Sequence, residues 1–143
     1  MRFFFALSLL FFSVLQPAWG EKISLKIGKH NIFAETANTP QSRNRGLMQR
    51  SFLCPNCGML FIFKKADRHG FWMKDTLLPL SIAFIAADGS ILNIEKMQPN
   101  TLDPHYAQGD ALYALEMNSG WFTRNGIKQG IIVQGLRQAP IGQ

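Results

Sequence analysis

The sequence contains few of the side chains that most often bind metal ions. It has two cysteines and three histidines, and no second cysteine pair accompanies Cys54 and Cys57 to complete a zinc site. His30 and His69 fall in predicted turns and His105 in a predicted loop, so they could contribute only if folding brought them together. We therefore predict no bound metal and no cofactor.

The sequence also lacks an apolar run long enough to cross a membrane, which takes about 20 residues. The run at residues 3–15 follows a basic residue and ends before a proline, and the small residues Ala18 and Gly20 then suit cleavage. We predict a signal peptide over residues 1–20, cleaved near Gly20, with residues 21–143 forming a single globular domain that is periplasmic or secreted. The mature chain is expected to have no transmembrane segment, and an uncleaved anchor is the alternative.

Charged residues are not gathered into runs. The chain has 15 Lys and Arg against nine Asp and Glu, which gives a formal net charge of +6. Because there is no basic run and no recognisable nucleic-acid module, we predict no nucleic-acid partner. Outside the cytoplasm, positive charge favours attraction to anionic envelope polymers or simply solubility. We expect a monomer.

Short β-prone segments separated by turn signals make up most of the remaining chain. Strands are predicted at residues 23–27, 32–36, 59–63, 71–76, 80–86, 91–97, 111–117 and 131–134. Residues 80–86 are apolar at both parities, which predicts a strand covered on both faces. Asp88-Gly89 is typical of a hairpin turn, and residues 98–110 are predicted to form a long loop.

Two short helices complete the prediction. Thr39-Pro40 is typical of a helix start, so a helix is predicted over residues 40–49, with Arg43 and Arg50 on one face. A shorter helix is predicted at residues 121–125. The predicted fold class is mainly β with one or two short helices (α+β), in a compact barrel- or sandwich-like single domain.

Several blocks, taken in order, resemble one known family. They are Arg43-x-x-Gly46-Leu47-Met48-x-Arg50, Gly58-Met59-Leu60-Phe61-x-Phe63, Phe71-Trp72-Met73-Lys74-x-Thr76-x-x-Pro79-Leu80, Asp88-Gly89, and Leu115-Glu116 followed by Gly120. The chain is similar in these blocks to the family catalogued as domain of unknown function 192, over essentially all of residues 21–143. The resemblance implies a compact, mostly β domain that is often exported or envelope-associated. It implies no assigned reaction.

The chain departs from the pattern of that family at two places. Ser81 stands where the family usually has Asp in Pro-Leu-Asp-Ile, and Ile131 stands where an Asp usually follows Gly. If those acids belong to a functional site, this member is altered there. The pair Cys54 and Cys57 is an addition to the family pattern.

The aromatic and charged residues after position 70 form the main candidate ligand site. In a strand over residues 71–76, Trp72, Lys74 and Thr76 share one face and could place a flat aromatic wall beside hydrogen-bond donors. Such a platform would suit a sugar or a carboxylate. The long loop is expected to contribute contacts at residues 105–106.

Arg43, Arg50 and Glu116 are the other candidate ligand-binding residues. Glu116 lies between apolar neighbours, where its pKa could be raised. The preferred interpretation of these residues is structural, with Glu116 accepting hydrogen bonds from Arg43 or Lys74 to hold the helix against the sheet, since buried charges are normally paired.

Three functions stay open at this point. The leading one is an exported ligand-binding or accessory module of the cell envelope, whose ligand is a small molecule, a glycan or a peptide. The second is an enzyme, a hydrolase or a lyase, that uses Glu116 and Lys74. The third is a thiol–disulfide redox protein that uses Cys54 and Cys57. A structural disulfide is the preferred interpretation of that pair, because a β-prone segment follows it instead of the helix found in thioredoxin-type sites.

Overall fold

An antiparallel hairpin begins the fold, as the alternating sequence predicts. The computed structural model describes residues 20–143, and its first two strands are β1 (Lys22–Ile27) and β2 (His30–Ala37). Every second residue of β1 is buried, so one face of the hairpin turns toward the interior.

The remaining elements are short, and loops or turns separate them. They are α1 (Pro40–Arg45), β3 (Cys57–Asp67), β4 (Gly70–Phe71), β5 (Leu80–Ala86), β6 (Ile91–Met97), β7 (His105–Tyr106), β8 (Ala111–Asn118), α2 (Trp121–Arg124), β9 (Val133–Gln134) and a 3-10 turn (Leu136–Gln138).

Seven of these strands form one sheet in the order β6-β5-β8-β3-β2-β1-β9, and β4 pairs separately with β7. Within the large sheet β2 and β3 run parallel, whereas the other pairs are antiparallel.

Hydrogen bonds near β9 join the two ends of the large sheet. Ile91 N–H donates to the Ile131 carbonyl at 3.0 Å, and Val133 N–H donates to the Gly89 carbonyl at 2.8 Å. The sheet therefore curls into a half-barrel, which confirms the predicted mainly β, barrel-like class with two short helices.

Each face of the curled sheet buries its own hydrophobic cluster. The inner cluster includes Leu25, Ile32, Leu60, Ala83, Ile85, Leu115, Trp121 and Phe122. The outer cluster includes Leu47, Met59, Phe61, Met73, Leu80, Ile82, Phe84 and Ala114. β5 contributes to both clusters, which confirms that this strand is covered on both faces.

The first helix is shorter than predicted. Thr39 caps it as expected, since its hydroxyl accepts from Ser42 N–H at 3.1 Å, but α1 ends at Arg45 instead of continuing to residue 49. Gly46 adopts φ of 47°, a left-handed conformation that stops the helix. Arg50 therefore lies beyond the helix, and the prediction that it shares a helical face with Arg43 is wrong.

The predicted strand over residues 71–76 is also wrong. Only β4 is a strand there, and the chain then turns, with Thr76 N–H donating to the Met73 carbonyl at 3.2 Å and Asp75 at φ of 51°. Met73 is completely buried in the outer cluster and its N–H donates to the Thr101 carbonyl at 3.0 Å, so packing and hydrogen bonds to a loop both hold this turn.

No helix within residues 20–143 is long and apolar enough to span a membrane. The predicted signal peptide at residues 1–20 lies outside the described residues, apart from Gly20.

Candidate functional site

A cleft of about 270 Å³ opens on the outer face of the sheet, between the end of α1 and the turn that follows β4. Its lining combines aromatic rings with a few polar groups. The lining residues are Arg43, Asn44, Arg45, Gly46, Leu47, Met48, Phe61, Phe63, Gly70, Phe71, Trp72, Thr76 and Glu116.

Glu116 lies at the floor of this cleft. In the sheet it stands opposite Met59 of β3 and Ile82 of β5, both buried, and is itself only 4% exposed. Burial among these apolar neighbours raises the pKa of Glu116 to about 8, because desolvation disfavours the charged carboxylate. A carboxyl group with this pKa is mainly protonated at neutral pH.

The Glu116 carboxyl makes no hydrogen bond to any group of residues 20–143. Among these residues no polar side-chain atom that is fully buried lacks a partner, so the carboxyl oxygens reach the space of the cleft. The predicted structural pairing of Glu116 with Arg43 or Lys74 is therefore wrong.

Arg43 is instead held by backbone carbonyls. Its guanidinium donates to the carbonyls of Asn38 (2.9 Å), Ile62 (2.9 Å) and Gln143 (2.8 Å), and it lies over the Phe63 ring at 5.2 Å from the centroid. Partial burial lowers the pKa of this guanidinium, but three carbonyl acceptors satisfy its donors. Arg43 thus forms part of the cleft wall and is already engaged.

Trp72 and Thr76 line the cleft, as the predicted platform requires, but Lys74 does not. Trp72 stands at the rim and is 47% exposed, whereas Thr76 is buried and its hydroxyl donates to the Lys74 carbonyl at 2.9 Å. The Lys74 side chain is exposed, with Nζ at 5.5 Å from the Trp72 ring centroid. Lys74 therefore contacts the Trp72 ring and does not line the space over Glu116.

Arg50 belongs to a second hollow, a groove of about 400 Å³ that shares Arg45, Gly46 and Met48 with the cleft. There it binds Glu35 through two hydrogen bonds, each of 2.7 Å. This bidentate geometry is the strongest arrangement available to a guanidinium and a carboxylate.

The residue-level prediction missed most of the aromatic wall. Phe61 and Phe71 meet edge to face at 4.9 Å between centroids, and Phe63 lies beside Phe71 at 6.1 Å. A signal for Phe61 and Phe63 was present in the sequence, since alternate residues of one strand share a face. Arg45 was also missed, because a helix running to residue 49 gave no reason to single it out.

The long loop lies beside the cleft, because its strand β7 pairs with β4. His105 Nδ1 contacts the Glu95 carboxylate at 2.7 Å, and the amide of Asn93 donates to the Tyr106 carbonyl at 3.1 Å. Neither His105 nor Tyr106 lines the cleft or the adjoining groove.

Cys54 and Cys57 are joined as a disulfide, with Cα atoms 5.0 Å apart. Cys57 begins β3, so the helix N-terminus that stabilises a reactive thiolate in thioredoxin-type sites is missing. The loop between them supports α2, since Trp121 Nε1 donates to the Asn56 side chain at 3.1 Å. Within the described part of the chain, no cluster of three His, Cys, Asp or Glu side chains could hold a metal ion.

The two departures from the family pattern lie away from the cleft. The Ser81 hydroxyl accepts from Gly120 N–H at 3.0 Å, at the start of α2. Ile131 packs against the inner cluster, on the other face of the sheet from Glu116.

Comparison with known proteins agrees with this architecture. A crystallised protein of Sinorhizobium meliloti, described as a candidate transcription regulator, is 34% identical, with a TM-score of 0.77 over 84% of this chain and 97% of its own. A crystallised protein of unknown function from Novosphingobium aromaticivorans is also 34% identical, with a TM-score of 0.77 over 80% of this chain and 85% of its own. No curated protein matches significantly. The profile of DUF192, described as uncharacterized ACR, matches residues 23–135, and the chain therefore belongs to the DUF192 family.

Proposed function

We propose that this protein is an exported binding module of the cell envelope, whose ligand occupies the Glu116 cleft. The observation that carries the proposal is the Glu116 carboxyl itself, buried at the floor of an aromatic cleft without a partner among residues 20–143. Export is supported by the signal-like residues 1–20 and by the disulfide between Cys54 and Cys57, which suits an oxidising compartment.

Burying a carboxyl group among apolar neighbours without an ion-pair partner is costly to a folded protein, and groups with pKa values perturbed in this way are concentrated at functional sites. A ligand that hydrogen-bonds to Glu116 would recover part of this cost on binding. The same carboxyl lies among rings that are already in place, so a ligand would meet a largely pre-formed cavity.

The lining restricts the chemistry of the ligand. Phe61, Phe63, Phe71 and Trp72 favour a flat or apolar body, while Glu116 calls for a polar group at the inner end. The volume of about 270 Å³ admits one ring or one long side chain. A small molecule, a single sugar unit of a glycan, or one side chain of a peptide each meets this requirement.

Thermal-shift measurements test the proposal. The purified protein would be screened against neutral saccharides, amino sugars, amines, guanidines, short peptides and metal ions. A ligand at about 100 times its Kd adds about 2.7 kcal/mol of stability, which is readily detected. Trp72→Ala should remove the shift while leaving the unliganded protein folded.

Phe33→Ala is the matched control, because Phe33 is an exposed aromatic residue that lines neither the cleft nor the adjoining groove. It should leave the ligand-induced shift unchanged. The proposal would be contradicted if no compound shifts the Tm, or if the shift survives Trp72→Ala and is lost with Phe33→Ala.

A second candidate is an acid–base enzyme, favoured by the raised pKa of Glu116 in a cleft. Hydrolysis through two carboxylates is not supported, because Glu116 is the only carboxyl among the lining residues that the structure describes. Lys74 also lies outside the cleft. The test is an assay for cleavage of envelope glycans by the parent protein and by Glu116→Gln. Cleavage that persists in Glu116→Gln would exclude this candidate.

A further inference from the structure

Two carboxyl groups lie in one row across the outer face of the sheet. Glu35 of β2 stands opposite Met59 of β3, which in turn stands opposite Glu116 of β8. The spacing of neighbouring strands places the two acids about 10 Å apart, with one methionine between them. The groove lies over the first acid and the cleft over the second.

The two acids differ in one respect. Both are buried, at 7% and 4% exposure, but Glu35 is completed by the guanidinium of Arg50 through two bonds of 2.7 Å. Glu116 receives no such group from residues 20–143. The ion pair of Glu35 and Arg50 therefore shows that a guanidinium can pair with a buried carboxylate on this face of the sheet.

The walls of the cleft also favour a cation. Aromatic ring faces attract guanidinium and ammonium groups through the ring quadrupole. Two rings of the cleft already do so, since Arg43 lies 5.2 Å from the Phe63 centroid and Lys74 lies 5.5 Å from that of Trp72. The other two rings of the lining, Phe61 and Phe71, have no cation over them among residues 20–143.

We propose that the ligand presents a guanidinium group, which enters between the aromatic walls and forms a bidentate ion pair with Glu116. The inference rests on the proposed function and adds the chemical class of the ligand. Guanidinium fits better than ammonium, because its flat fork matches both the carboxylate and a ring-lined slot. It can come from a small molecule or from an arginine side chain of another protein.

The charges that face Glu116 are consistent with this pairing. Arg43 and Arg45 are the charged residues that line the cleft besides Glu116. The Arg43 guanidinium already donates to three backbone carbonyls. Arg45 is exposed, so water and salt screen its repulsion of a cationic ligand. The ion pair would form deeper in the cleft, where screening is weaker.

Proton release provides a specific signature. Glu116 is mainly protonated in the free protein at pH 7, whereas a guanidinium stays charged and requires the carboxylate. Binding should therefore release about one proton at pH 7. The affinity should rise about tenfold per pH unit between pH 6 and pH 8 and level off above that.

Isothermal titration calorimetry tests this with matched ligands. Butylguanidine is compared with butylurea, its neutral isostere, and the capped peptide Gly-Arg-Gly with its citrulline counterpart. Each guanidinium ligand should bind at least tenfold more tightly than its neutral partner, and buffers of different ionisation enthalpy should report the released proton. Peptide binding tighter than that of butylguanidine identifies a protein source, and equal binding identifies a small molecule.

Variants separate this inference from the proposed function. Glu116→Gln should abolish the preference for guanidinium over urea, whereas Asp103→Asn, an exposed acid in the long loop, should preserve it. Equal affinity of the paired ligands, or binding without proton release, would overturn the guanidinium assignment. If neutral ligands bind the parent protein and fail to bind Trp72→Ala, the proposed function stands even though the guanidinium assignment is wrong.

Discussion

Replacing Glu116 by glutamine gives a direct measure of how the folded protein holds this carboxyl. Glutamine has nearly the same size and keeps a polar, neutral group in the same place. The charged residues lining the cleft, Arg43 and Arg45, are unchanged, so the difference between the two proteins isolates the ionisation of Glu116.

The expected magnitude follows from the raised pKa. In the unfolded chain Glu116 ionises near 4.5, whereas in the folded protein it ionises near 8. Between these values the unfolded state releases the proton and the folded state keeps it, so the free energy of unfolding falls by about 1.4 kcal/mol per pH unit as pH rises. Glu116→Gln should therefore match the parent below pH 4.5 and exceed its stability by about 3 kcal/mol at pH 7. Above pH 8 the gain should level off at about 5 kcal/mol.

Urea unfolding of both proteins from pH 4 to pH 9 checks this dependence. The difference in free energy of unfolding should grow steadily up to about pH 8 and then stay constant. Asp103→Asn is the control. Because Asp103 is exposed, this variant should have the same free energy of unfolding as the parent protein at every pH. Parallel stability curves for the parent and Glu116→Gln would refute the reasoning, because they would mean that Glu116 ionises alike in both states.

Three other perturbations test the frame around the cleft. Arg50→Lys should lower the free energy of unfolding by about 2 kcal/mol, because lysine cannot make both bonds to Glu35; an unchanged urea midpoint would contradict this. Gly46→Ala should lower the Tm by an amount equivalent to about 1–2 kcal/mol, since the residue has φ of 47° and an added Cβ would lie 3.3 Å from the Phe61 ring. Reducing the disulfide between Cys54 and Cys57 should lower the free energy of unfolding by about 2 kcal/mol, because the disulfide closes only a short loop. Thermal unfolding with and without reductant measures this effect, and an unchanged Tm would contradict it.

Local sequence patterns predict much of this fold. Alternation identifies the opening hairpin, apolar residues at both parities identify β5 as covered on both faces, and Asp88-Gly89 places the turn before β6. Each of these features depends on neighbours in the chain. The identity of Glu116 as the polar residue on a buried strand face follows from the same alternation.

The contacts around Glu116 could not be predicted in the same way. Arg43 has the charge to pair with Glu116, but it is drawn to the Gln143 carbonyl, 100 positions away in sequence. The turn after β4 is held by the burial of Met73 and by backbone hydrogen bonds to Gln49, Asn100 and Thr101. These tertiary contacts override the β propensity of the aromatic residues beside it. Sequence alone therefore identifies the carboxyl and its face, but cannot decide whether a partner reaches it.

The family departures at positions 81 and 131 acquire a specific meaning once the two faces of the sheet are separated. An aspartate at position 81 could accept the same Gly120 N–H that the Ser81 hydroxyl accepts, so the change keeps a hydrogen bond at the start of α2. Ile131 adds apolar contact to the inner cluster. Both changes act on the inner face, whereas Glu116 and its aromatic walls lie on the outer face. Neither position lines the cleft, so the ligand contacts proposed over Glu116 involve neither of the two acids that this chain lacks.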